Sequence, residues 1–594
     1  MAELRVWAPG KDSVDLVAGG RRTPMAAAGG GWWAGPAAAA GLAGGYSYSV
    51  NNGPPRPDPR SAYQPEGPDG PSLIVDHGAF GWTDGGWRGL ALPGAVLYEL
   101  HTGTFSAEGT FDGAIGHLAH LAALGVDAIE LMPAAEFGGD HGWGYDGVNL
   151  FAPHHAYGGP DGLKRLVDAA HAHGLGVIMD VVYNHLGPAG NYLPEFGPYF
   201  SGRHLTNWGP AVNFDGPGSD EVRRFVIDNA LMWLRDYHCD GLRLDAVHAI
   251  ADQSAVHILE ELGTEVDALA AQCGRPLFLI AESDLNDPRF VRSRQAGGYG
   301  LAAAWADEWH HALHATLTGE RSGYYADFGP LPLLAKALSQ AWVYDGTYSP
   351  HRDRRHGRPP DGLPGTAFVV ATQNHDQIGN RAAGERLAAL VSEGRLRIAA
   401  ALLLTGPFVP MLFQGEEWAA SAPFQYFTDH RDPALGTAVS EGRRREFAAF
   451  GWDPADVPDP QEEATFARSK LDWAELGAAP HAGMAAWYAE LIALRRRIPA
   501  LADPRPGSAV AQCDEAAGWL TVRRGPVTVA CNLGTADWVF GAGPDHDVLA
   551  ASDPAVTTSG PNLVLPPDSV VIVAGSWAVE APGPSSRRDP VAVD

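Results

Sequence analysis

The chain has 594 residues, 45% of them hydrophobic and 19% charged, which describes an ordinary globular protein of about three domains. Its 42 Lys and Arg against 70 Asp and Glu leave a formal net charge of −28, a surface that repels phosphate backbones. Nucleic-acid binding is therefore not expected, whereas a neutral substrate such as a sugar remains open.

Cys239, Cys273, Cys513 and Cys531 are widely spaced, with no CxxC pattern, and read as free thiols rather than a disulfide or metal framework. The start, "MAELRVWAPG", lacks a basic, apolar signal pattern. The longest uncharged apolar run, 399–413, contains two prolines and is too short to span a bilayer. No membrane association and a cytoplasmic location are the expectation.

Residues 1–92 read as a small β-sandwich, with "LRVWAP", "SVDLVAG" and "YSYSV" as short strands among Gly/Pro turns. Trp7, Trp32 and Trp33 there are expected to pack in the core rather than to stack on sugars. From Val96 the pattern changes. "VLYEL" is a buried strand, 111–124 a helix with Ile115, Leu118 and Ala122 on one face, closed by Gly125, and "AIELMP" the next strand. "GVIMDVVYNH" follows, then a helix over 219–238 with Asp220 and Glu221 in its first turn. "GLRLDAV", "LFLIAES", "AAAWADE", "AFVVATQNHD" and "VPMLFQGEE" complete the series. Eight apolar strands separated mostly by helices predict a closed parallel (β/α)8 barrel, an α/β fold, over 93–500. Residues 186–218 are expected to protrude as a small lobe. The stretch 423–472 resists assignment, and 487–497 reads as a closing helix. Alternating strands "WLTVRR", "VTVACNL" and "VVIVAG" predict a C-terminal β-domain over 501–577, and 578–594 is expected to be a disordered tail.

Chemistry in such a barrel sits at the C-terminal ends of the strands. Three of them lead into an acid: Asp245 after strand four, Glu282 after strand five and Asp376 after strand seven. In "GLRLDAVHAI" Arg243 and Asp245 alternate onto one face, and the guanidinium keeps the carboxylate ionised. Taken alone, that pair could simply tie down a loop. Three rim acids accompanied by His185, His248 and His375, with no nucleotide motif, suit glycoside hydrolysis better.

"DVVYNH" (180–185), "GLRLDAVHAI" (241–250), "IAES" with Glu282 and "QNHDQIGNR" (373–381) resemble, in order, the four sequence regions of the α-amylase family of glycoside hydrolases. The resemblance implies Asp245 as nucleophile, Glu282 as general acid/base and Asp376 as transition-state stabiliser. It implies that Arg243, His185 and His375 orient the nucleophile and the sugar, and that Tyr145 of "GWGYDGV" stacks on the ring. It also implies an immunoglobulin-like N-terminal domain, as in branching and debranching members.

"YELHTGTFSAEGTFDGAI", "ATQNHDQIGNRAAGERL" and "FQGEEWAASAPFQYFTDH" look like the family's trehalose-releasing members. The implied reaction cleaves the α-1,4 bond next to the terminal trehalose of maltooligosyltrehalose, with maltooligosyltrehalose synthase as pathway partner and α-1,4-glucans as related substrates. By the same resemblance the substrate site is lined by Arg243, Leu244, Ala246, Val247 and His248. Asp307, Glu308, Trp309, His310 and His311 join them, with His375, Gln377, Ile378, Gly379 and Asn380. A branching enzyme would share every catalytic residue, and a glycan-binding protein on a dead barrel is the non-enzyme alternative. In 186–218 only Glu195 and Asp215 are acidic, too few for the roughly six to eight oxygens calcium takes, so neither a required metal nor a cofactor is expected.

Overall fold

The structure, a computed structural model, describes residues 3–36, 44–449 and 457–575. Eight parallel strands close into a barrel, here β1 (Leu97–Leu100), β2 (Ala128–Leu131), β3 (Gly176–Val181), β4 (Gly241–Leu244), β5 (Phe278–Ala281), β6 (Ala303–Trp305), β7 (Phe368–Ala371) and β8 (Val409–Phe413). Every residue of these strands is buried, which is why they read as continuous apolar runs rather than alternating ones. Each strand pairs with its sequence neighbour, and β8 closes on β1 through Met411↔Leu97 and Phe413↔Glu99.

Two antiparallel sheets form the N-terminal part. One joins Glu3–Trp7, Trp32–Pro36 and Ala26–Gly29; the other runs Arg21–Pro24, Val14–Ala18, Ser47–Val50, Pro55–Arg56. Trp7 is buried edge-on against Tyr199 at 5.4 Å, and the indole of Trp32 donates to Glu221 at 3.1 Å, so these tryptophans fix the sheets to the barrel. At the C-terminal end a five-stranded and a three-stranded antiparallel sheet pack beside helices Glu393–Thr405 and Leu331–Gln340. The tail expected at 578–594 lies outside the described residues.

Several elements differ from the sequence expectation. The helix expected over 111–124 is two pieces, Phe111–Ile115 and Leu118–Leu124, because Gly116 and His117 break the hydrogen-bond ladder. Gly125 does close the second piece, at φ 100°. The next predicted helix spans Ser219–Arg235. Residues 186–218 carry a hairpin, Phe200–Thr206 with Gly209–Val212, whose turn holds the half-exposed Trp208 beside the barrel mouth. The unassigned stretch 423–472 contains helices Pro433–Ala449 and Glu463–Arg468, with Phe424 and Phe427 packed on Trp143 and Phe413. Among the described residues no helix is long and apolar enough to cross a membrane.

Candidate active site

The parallel register of β3 on β4 sets Asp180 opposite Arg243. Arg243 is fully buried, and its Nη1 donates to both Asp180 oxygens at 2.9 Å and to Asp245 Oδ1 at 2.8 Å. Burial disfavours the guanidinium charge, but the surrounding Asp180, Asp245 and Glu282 carboxyls overcome it and hold the group charged. Its planar face also lies 4.2 Å over the Trp305 ring. Asn184 Nδ2 donates to the other Asp245 oxygen at 2.8 Å and to the Asp245 carbonyl at 3.0 Å. Asp245 is thus clamped on both carboxylate oxygens.

Glu282 follows β5, and its Oε2 accepts the Ala246 amide at 2.6 Å. Arg243 Nη2 stands farther off, at 3.7 Å. Burial raises the Glu282 carboxyl well above the ordinary range, and the negative fields of Asp245, Asp307 and Asp376 add to this while Arg243 opposes it. One carboxylate is tied to a cation and the other has its pKa pushed upward, an arrangement that can supply a nucleophile and an acid.

Asp376 sits in the first turn of helix His375–Gly379, capped by Asn374, and its side chain is half exposed to the pocket. Beside it, His375 is buried: its backbone amide donates to Glu99 Oε2 at 3.1 Å and its Nδ1 lies 2.5 Å from Glu99 Oε1. Burial opposes charge on His375, yet Glu99 and then Asp376 raise it to about 9. Tyr145 donates its hydroxyl to Asp180 at 2.7 Å, stands 2.9 Å from His375 Nε2, and stacks beside that ring at 5.2 Å. His185 contacts Asn184 Oδ1 through Nδ1 and the Tyr145 carbonyl through Nε2, with Trp208 stacked over it at 5.1 Å.

A pocket of about 380 Å³ opens above these groups, lined by Asp245, Glu282, Asp376 and Asp284, by His185, His248 and His375, and by Trp143, Tyr145, Trp208 and Tyr426. Ala246 also lines it, whereas Leu244 and Val247 are buried in the core. Gln377 completes the capping box with Asn374, and Ile378 packs on Trp143. Gly379 lets that indole approach: a Cβ there would fall 2.0 Å from the ring. Asn380 is held by Arg443 at 2.8 Å and by Asp376 at 3.5 Å. These residues brace the pocket from behind.

The segment 307–311 divides. Glu308 is buried and accepts the amides of Val343 and Tyr344 at 2.6 and 2.8 Å, so it secures a neighbouring loop. Trp309 is core, and His310 is buried between the Thr372 carbonyl (2.6 Å) and the Tyr325 hydroxyl (2.9 Å). None of these three side chains lines the pocket expected for them: helix Asp307–Thr318 packs against β7 and directs Glu308 to the 343–344 segment and His310 between Thr372 and Tyr325. His311 is stacked against Phe328. Asp307 is close enough to Glu282 and Asp376 for their charges to interact, and burial followed by Asp376 raises it to about 7.

Sequence reasoning overlooked Glu99, Trp143, Trp208, Asp284 and Tyr426. A lone glutamate within the apolar run "VLYEL" was the available signal for the first. The others come from loops that only the closed barrel brings to one rim.

A closed parallel barrel with this carboxylate, arginine and histidine cluster on its C-terminal rim defines a glycoside hydrolase of the α-amylase type. Residues 80–197 match the family model described as "Alpha amylase, catalytic domain", and 504–572 match a "Domain of unknown function (DUF3459)". The chain is 54% identical to the malto-oligosyltrehalose trehalohydrolase of Arthrobacter ramosus over 89% of its length and 92% of that protein's. With the enzyme of the same name from Rhizobium sp. (strain M-11) it shares 52% identity over 96% and 97%. A crystal structure described as a putative alpha amylase from Salmonella typhimurium superposes with a TM-score of 0.88 at 39% identity, covering 96% of this chain and 97% of that one. The chain belongs to the malto-oligosyltrehalose trehalohydrolase family.

Proposed function

We propose that the protein hydrolyses the α-1,4-glucosidic bond next to the terminal trehalose of maltooligosyltrehalose, releasing trehalose and a shortened maltooligosaccharide, with net retention. The observation that carries this reading is the divided environment of the two rim acids. Asp245 is charge-paired by Arg243 and hydrogen-bonded by Asn184, while Glu282 is largely buried and its carboxyl is pushed well above the ordinary range. In the first step Asp245 attacks the anomeric carbon from the β face, opposite the α-linked trehalose, as Glu282 protonates the departing oxygen of the trehalose unit. In the second, Glu282 takes a proton from water, which attacks the same carbon and frees Asp245. Asp376 and the charged His375 receive the sugar hydroxyls on which partial charge develops, and Tyr145 stacks on the ring in the cleaved position.

Family membership favours the trehalose-terminated substrate over plain glucan, and a synthase that builds maltooligosyltrehalose is the pathway partner this activity calls for. Incubation with maltooligosyltrehalose and, separately, with amylose tests the reading. Trehalose from the first supports it. New branches from the second would make the chain a branching enzyme, and no product from either would make it a binding protein.

A further inference from the structure

We propose that Glu136, His154 and His155 form a binding site for a divalent transition-metal ion of the zinc type, at the neck of the loop that carries Tyr145 to the pocket. The three residues are brought together by a short ladder. Strand Ala135–Glu136 pairs antiparallel with Asn149–Pro153, and the two histidines follow the second strand directly, with the His154 amide donating to the Ala134 carbonyl at 2.8 Å.

One donor atom from each residue lies within 4.8 Å of the other two. Glu136 Oε1 stands 2.8 Å from His155 Nδ1 and 3.2 Å from His154 Nδ1. Bonds of about 2.0–2.2 Å in a tetrahedral zinc site put neighbouring ligand atoms roughly 3.3 Å apart, so little movement is needed to admit an ion.

The independent sign of a ligand is His154. Its side chain is fully buried; Nδ1 meets only the Glu136 carboxylate, at 3.2 Å, and Nε2 has no hydrogen-bond partner among the described residues. Stacking on Phe137, with centroids 3.8 Å apart, prevents the ring from turning to water. A buried imidazole with one nitrogen unpaired and the other held only by a long carboxylate contact is under-satisfied, and an ion between Nδ1 and Glu136 Oε1 would replace that contact with two short bonds. Glu136 is buried as well. Its Oε2 is occupied by the His155 amide at 2.9 Å, which leaves Oε1 facing the two imidazoles. His155 is only partly buried and places Nε2 3.3 Å from Asp140 Oδ1, the outer carboxylate contact that metal-bound histidines commonly make. Its exposed edge gives the ion a way in.

Two imidazoles and one carboxylate select zinc, cobalt or nickel over calcium or magnesium, which take oxygen donors. A water would complete four-coordination. The ladder brackets residues 137–148, which bring Trp143 and Tyr145 to the pocket, so a bound ion would staple the base of that excursion.

The test uses full-length protein stripped with a chelator and titrated calorimetrically with zinc chloride, with calcium chloride in parallel. One zinc per chain, a raised melting temperature with zinc and no calcium binding are expected. Cobalt(II) should give the visible absorption of a four-coordinate nitrogen and oxygen site. His155→Ala, which changes a partly exposed ring, should weaken zinc binding at least tenfold, and His154→Gln should abolish it. Should His154→Gln fail to fold, His155→Ala decides alone. Substoichiometric zinc, preferential calcium binding, or unchanged affinity in His155→Ala would overturn the assignment and leave the cluster a buried ion pair.

Discussion

The backbone amide of Ala246 is bonded to Oε2 of Glu282 at 2.6 Å, and Ala246 holds a φ of 40°, in the left-handed region. That conformation costs a non-glycine residue about 1–3 kcal/mol, and here it turns the chain just after Asp245 so that its amide meets the neighbouring acid. Ala246→Val should add β-branched strain, lowering stability by about 1–3 kcal/mol and reducing turnover through a misplaced Glu282. Ala246→Gly relaxes the backbone and should stay within about 1 kcal/mol of the parent. Thermal melts of both variants check this. Equal stability of the valine and glycine forms would mean that the conformation carries no strain.

The division of labour between the two acids predicts different chemical phenotypes. Asp245→Asn and Glu282→Gln should fold normally and lose activity by roughly a thousandfold or more. Azide should restore turnover to Glu282→Ala on a substrate with a good leaving group, giving a glycosyl azide of retained configuration, and should do much less for Asp245→Asn. The alkaline limb of kcat/KM should reflect loss of the Glu282 proton, falling as pH rises through its elevated pKa. Near-parental turnover in Glu282→Gln would reject the acid role.

A double displacement retains the anomeric centre, so the new reducing end must first appear as the α-anomer. Proton NMR of the product, taken before mutarotation, reads this directly. Initial β-anomer would exclude Asp245 as a nucleophile and require a water between the carboxyls.

Glu99 and His375 predict a pH-dependent stability. Burial works against the imidazolium, but the Glu99 carboxylate raises His375 to about 9, above the roughly 6.5 of an unfolded histidine. The folded pKa is the higher one, so this proton contributes stability fully below about 6.5 and loses it as pH climbs through about 9. Glu99→Gln removes the carboxylate charge. Its deficit in stability relative to the parent should be largest near pH 6 and shrink towards pH 10, by up to about 3 kcal/mol at 1.36 kcal/mol per pKa unit. Denaturant melts across that range measure it, and a deficit independent of pH would show that Glu99 acts by packing alone.

The rim acids were legible in the sequence because each stands within a few residues of a strand that is itself a clear apolar run. Arg243 and Asp245 are two positions apart, and strand alternation alone predicts that they meet. What escaped reading depends on pairings across the barrel. Glu99 meets His375 over a separation of 276 residues, and the Trp143 indole donates to the Gln425 carbonyl over 282. The break at Gly116 was hidden because Ile115, Leu118 and Ala122 keep helical spacing through it. Glu308, Trp309 and His310 resembled pocket residues by motif, but only the direction of helix Asp307–Thr318 decides where their side chains go.

Asp307 is the residue on which selection of a trehalose-terminated chain is expected to depend. It follows β6, beside the strand that presents Glu282, the acid proposed to protonate the leaving sugars. An aspartate in this position could simply cap its helix. The helix begins at Asp307 itself, however, with Ala306 as the N-cap residue and no side-chain cap bond. Burial and then the Asp376 charge raise its carboxyl to about 7, so near neutrality it can donate as well as accept a hydrogen bond. Trehalose differs from maltose at the leaving side in lacking a reducing end and in the direction of its second ring. A fixed polar group that pairs with one and is stranded by the other separates them well. Asp307→Ala should therefore lower kcat/KM on maltooligosyltrehalose roughly tenfold or more relative to plain maltooligosaccharide. With no cap bond to lose, the stability cost should stay below the roughly 1 kcal/mol typical of a removed N-cap. Parallel kinetics on both substrates, with a melt of the variant, decide between the roles. An unchanged substrate ratio together with a lowered melting temperature would assign Asp307 to the helix and leave specificity to the other side chains of the rim.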